Sequence, residues 1–84
     1  MRNLIITYNK NETKNILILD KHIIHLIDEI VYGELIHQYK VFAEDKLRCY
    51  VAGMTQINVK DIIRIELNEP HDCESRTLIA YYPY

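Results

Sequence analysis

One segment breaks the strand-like rhythm of the chain: DKHIIHLIDEIVYG, residues 20–33. Ile23, Ile24, Leu26, Ile27, Ile30 and Val31 recur there at helical spacing, while Lys21, His22, His25, Asp28 and Glu29 fall together on the opposite side. Asp20 can cap the start, and Gly33 can take the left-handed conformation that ends a helix. An amphipathic helix must bury its apolar stripe against another layer. What lies on either side of it therefore decides the fold.

Before it, NLIITYN and TKNILIL are mostly branched or aromatic runs separated by polar residues, which predicts a hairpin. After Gly33, Leu35, His37, Tyr39 and Val41 alternate with Ile36, Gln38, Lys40 and Phe42; AED then reads as a turn into KLRCYVA, a second hairpin. TQINV reads as a short strand or connection, and DIIRIEL as a strand with Ile63, Ile65 and Leu67 on one face. NEPHDCES is a polar loop whose proline stops pairing, and RTLIAYY returns as the last strand. Short links favour antiparallel neighbours. The expected fold is α+β: a small single domain over 1–84, an antiparallel sheet of hairpins with one covering helix. A small all-β barrel, with residues 20–33 as a strand, is the alternative, because isoleucine-rich runs have weak intrinsic helix preference.

With 84 residues there is room for one core, and 49% apolar and 26% charged residues are close to the globular average. The ten basic side chains are scattered singly at a formal net charge of −2, which argues against duplex DNA as a partner. No apolar run reaches transmembrane length, so no membrane partner is expected. Cys49 and Cys73 have no metal or redox spacing, and two free thiols in a cytoplasmic protein are expected. Abundant Ile, Asn, Lys and Tyr point to a low-GC genome, bacterial or phage.

Chemistry-bearing constellations are few. His22, His25 and Glu29 share adjacent turns and could in principle meet one cation, but the residue pattern places no further ligand beside them, and a solvated helix face is the preferred reading. His71, Asp72 and Cys73 are consecutive in a loop, with no oriented base or oxyanion hole implied, and Glu69, Asp72 and Glu74 disfavour a thiolate there. Cys49, alternating with Leu47 and Val51, reads as a small core residue. Gly33 and Gly53 are the only glycines, so no phosphate-cradling loop exists. No enzyme, no cofactor and no metal are expected.

What remains is surface. Asp61, Glu66, Glu69, Asp72 and Glu74 form an acidic cluster, and Tyr81, Tyr82 and Tyr84 a tyrosine-rich end. Tyrosine offers large apolar area with a polar tip and anchors many interfaces. The expected function is a non-enzymatic protein–protein interaction module, of the kind phages and mobile elements use to block a functional surface of a larger cytosolic protein. Glu66, Glu69, Asp72 and Glu74 would steer association, and Tyr81, Tyr82 and Tyr84 would anchor it. A homodimer through an edge strand is open to such a fold. The alternative function is an oligomeric binder of a small anionic nucleotide or single-stranded nucleic acid, using tyrosines with Arg48, Arg64 or Lys60.

Overall fold

A computed structural model of the chain describes residues 2–33, 37–68 and 76–82. The expected first hairpin is present as β1 (Arg2–Tyr8) and β2 (Glu12–Ile18). Asn9 and Lys10 turn the chain at positive φ, 45° and 77°. The Asn9 N–H donates to the carbonyl of Asp61 at 3.1 Å, which fastens the hairpin tip to the chain just ahead of the third strand.

Residues 20–33 form the helix their spacing predicts, α1 (Lys21–Tyr32). The Asp20 side chain accepts from the His22 N–H at 2.8 Å, and Gly33 ends the helix at φ 70°. Ile23, Ile27 and Ile30 are buried, and Arg2 of β1 pairs with Asp28 on its flank.

The second expected hairpin is not there. Residues 37–55 form a 19-residue helix, α2 (His37–Thr55), so two helices cover the sheet rather than one. Ala43, Leu47 and Val51, four residues apart, face the core with Thr55 one turn further on. Ala43, Glu44, Lys46, Leu47, Arg48, Ala52 and Met54 are strong helix formers, so the run from Ala43 to Asp45 continues the helix instead of turning the chain. Cys49 accordingly sits on the exposed side of α2, not in the core. The Thr55 hydroxyl donates to the carbonyl of Val51 at 2.7 Å and accepts from the Ile57 N–H at 3.4 Å, closing the last turn. Gln56 follows at φ 60°.

A short 3-10 turn, Val59–Asp61, leads into β3 (Ile62–Asn68), and β4 (Arg76–Tyr81) is the last described strand. The four strands are antiparallel in the order β2-β1-β3-β4. The sheet is open, with β2 and β4 at its edges, which removes the barrel alternative. Leu4, Ile6, Ile16, Ile18, Ile65 and Leu67 point from the sheet into the core and meet Ile27, Leu47 and Val51. Two register shifts adjust the pattern. One, opposite Thr7 and Tyr8, turns Ile62 inward and leaves Ile63 half-buried; the other, beside Ile65 and Glu66, lets consecutive Ile79 and Ala80 both be buried.

The two left-handed positions after the helices predict opposite responses. A Cβ added at Gly33 would meet nothing within 4 Å, so Gly33→Ala carries only the backbone cost and should destabilise by about 1 kcal/mol. Gln56→Gly should stabilise by about 0.5 kcal/mol, strain relief slightly exceeding the added chain entropy. Chemical denaturation of both variants checks the signs.

Candidate functional site

Alternation along the strands gives the sheet a second face, and both helices lie on the first. Ladder register places Asn15, Ile5, Glu66 and Leu78 in one row across the uncovered face. The neighbouring rows are Thr13, Thr7, Arg64 and Tyr81 on one side, and Leu17, Asn3, Asn68 and Arg76 on the other.

The centre of this face is drier than its composition suggests. Ile5 is 5% exposed although neither α1 nor α2 lies on this side of the sheet. Glu66 is also nearly buried, and its carboxylate lies 3.3 Å from Arg64 Nε. Much of the Glu66 charge is therefore compensated on the spot, while Arg64 is 44% exposed. Towards the edges stand apolar groups in solvent: Leu17 on β2, and Leu78 and Tyr81 on β4, the last 53% exposed and opposite Arg64 in the ladder. A shielded ionic centre with Leu17 at one edge and Leu78 and Tyr81 at the other suits a flat contact with another macromolecule.

Tyr81 and Tyr82 have separate fates. The ladder continues one residue past β4, with the Tyr82 N–H donating to the carbonyl of Ile63 at 2.7 Å. Tyr82 is thereby turned inward, only 8% exposed. Its hydroxyl donates to the carbonyl of Glu44 at 2.6 Å, and the Arg48 guanidinium lies 4.2 Å from its ring centroid. Arg48 also donates to the carbonyl of Ile62 at 3.1 Å. Tyr82 thus joins β4 to α2, whereas Tyr81 faces out. Glu69, Asp72, Glu74 and Tyr84, and the His71–Cys73 run, lie outside the described residues.

The histidines of α1 line a shallow groove of about 230 Å³ with Ile23, Leu26, Glu29 and Lys46 of α2. His25 Nε2 lies 3.0 Å from Glu29 Oε1 one turn on, with His25 exposed and Glu29 half-buried. Among the described residues, no three His, Cys, Asp or Glu side chains gather as a metal site would require. Among them, too, no helix is long and apolar enough to cross a membrane.

Residue reasoning passed over Leu17, Arg64 and Leu78 as members of one surface. The signal was present: NILIL and TLIAY each set an apolar residue between inward-facing positions, and DIIRIEL sets Arg64 and Glu66 between them. What alternation could not supply was the strand order that brings these positions into rows.

The class defined by these elements is an α+β domain of order ββααββ with an open, one-sided antiparallel sheet. No protein-family model, curated protein or solved structure gives a significant match to the chain.

Proposed function

We propose that this chain is a non-enzymatic protein-binding module that uses the uncovered face of its sheet, and that it regulates a larger protein by occluding a functional surface. The observation that carries the reading is the placement of Leu17, Leu78 and Tyr81 in solvent around the shielded Ile5 and the Arg64–Glu66 pair. Apolar and aromatic groups in such a setting gain most from desolvation by a partner. Tyr81 and Leu78 are the anchors, Arg64 reads a carboxylate or carbonyl on the partner, and Glu69, Asp72 and Glu74 steer the approach of a basic surface. Tyr82 acts by holding β4 against α2 and so shaping the face.

The test is co-purification with mass spectrometry at low and moderate salt, comparing the wild-type chain with Leu78→Asp and with Tyr81→Ala. Tyr82 is kept in every variant, since its loss would perturb the fold. A defined protein captured by wild type and lost with either change supports the reading; no enriched protein at either salt concentration removes it.

Arg64 opposite Tyr81 favours one other reading, an oligomeric binder of a nucleotide or single-stranded nucleic acid that stacks a base on the tyrosine and pairs a phosphate with the arginine. A ligand at a hundredfold excess over its dissociation constant stabilises the native state by about 2.7 kcal/mol. A melting temperature unmoved by a panel of nucleotides and short oligonucleotides would count against it.

A further inference from the structure

The outer side of α2 is a second candidate surface, remote from the sheet's uncovered face. With Ala43, Leu47 and Val51 directed inward, Phe42, Asp45, Cys49 and Gly53 fall on one outward stripe, spaced by three and four residues, with Lys46 on its flank. Phe42 is 69% exposed, the most exposed large apolar side chain of the described residues. Phe42, Asp45, Lys46 and Cys49 line a shallow depression of about 450 Å³.

Two features point to what covers it. Gly53 weakens the helix, yet a Cβ built there meets nothing within 4 Å, so packing within one copy does not demand the missing side chain. A bare backbone at an exposed helix position admits close approach by another element. The second feature is charge order. Neither Asp45 nor Lys46 is ion-paired with a described residue, and the adjacent Asp–Lys pair is its own complement when a second α2 runs in the opposite direction.

We propose that a second copy of this chain covers the outer face of α2. The two helices pack antiparallel about a twofold axis passing between Asp45 and Lys46. Each Phe42 then seats over Cys49 and Gly53 of the other copy, and each Asp45 meets Lys46 of the other copy. A twofold interface uses the same patch on both sides, which this arrangement satisfies. The dimer leaves both uncovered sheet faces outward, so it does not depend on the function proposed for them.

Sedimentation equilibrium of the full chain over a concentration series tests it. The expected mass is twice the 10.0 kDa of one chain, and Phe42→Asp returns the protein to a monomer. Asp45→Lys or Lys46→Asp alone sets like charges against each other twice and should weaken the dimer roughly tenfold. The double exchange, Asp45→Lys with Lys46→Asp, should restore wild-type association. A wild-type chain that stays monomeric overturns the proposal. So does a dimer that survives Phe42→Asp, which would move the contact to a sheet edge, or a double exchange no stronger than the single changes.

Discussion

Tyr82→Ala is expected to lower the unfolding free energy by about 3–5 kcal/mol, a large part of the stability of a domain this size. Three contacts disappear together: the buried ring, the hydroxyl donated to the Glu44 carbonyl, and the aromatic face beneath the Arg48 guanidinium. The melting temperature should fall by roughly 15 °C or more. Tyr82→Phe keeps the ring and loses only the hydrogen bond, so its cost should be about 1 kcal/mol. Tyr81→Ala, one residue earlier but facing solvent, should change stability by less than about 0.5 kcal/mol. Urea denaturation of the three variants measures the ordering. Equal losses at Tyr81 and Tyr82 would show that the strand end does not turn inward as described.

The second large effect is at Leu47. It is fully buried at the middle of α2, between Ala43 and Val51, and Leu47→Ala should cost about 3–4 kcal/mol in transfer and cavity terms. Cys49→Ser, two residues on and exposed, should cost less than about 0.5 kcal/mol. These two positions separate the helix from a strand. In a strand, residues 47, 49 and 51 share one face and both substitutions would be felt; in a helix, residues 43, 47 and 51 share it and Cys49 is on the other side.

That contrast also explains what could be read from residues alone. The first hairpin, β3 and β4 are short runs rich in branched residues and set off by polar segments, and α1 is bounded by residues of distinctive chemistry, Asp20 and Gly33. In α2 the inward Ala43, Leu47 and Val51 are matched by outward Val41, Phe42 and Cys49. With apolar groups on both sides the helical period is blurred, and local alternation from Leu35 to Phe42 imitates a strand. Two of these outward residues, Phe42 and Cys49, belong to the surface proposed for self-association. At the sheet, Tyr81 could be singled out as an anchor by type. That Tyr82 packs against the core is one of two balanced readings of the residues, and which of the two tyrosines turns inward is set by the shifted register beside Ile65 and Glu66 and by the ladder bond from Tyr82 to Ile63.

The claim on which the functional account rests is that the uncovered sheet face carries recognition. The most direct measurement is the affinity of the captured partner for wild-type chain and for the Leu78→Asp, Tyr81→Ala double variant, with melting temperatures recorded for both. Recognition through this face predicts at least roughly hundredfold weaker binding, as loss of two interface anchors would give, with melting temperatures within a few degrees. Affinity unchanged within about threefold, in a double variant that remains folded, would contradict it.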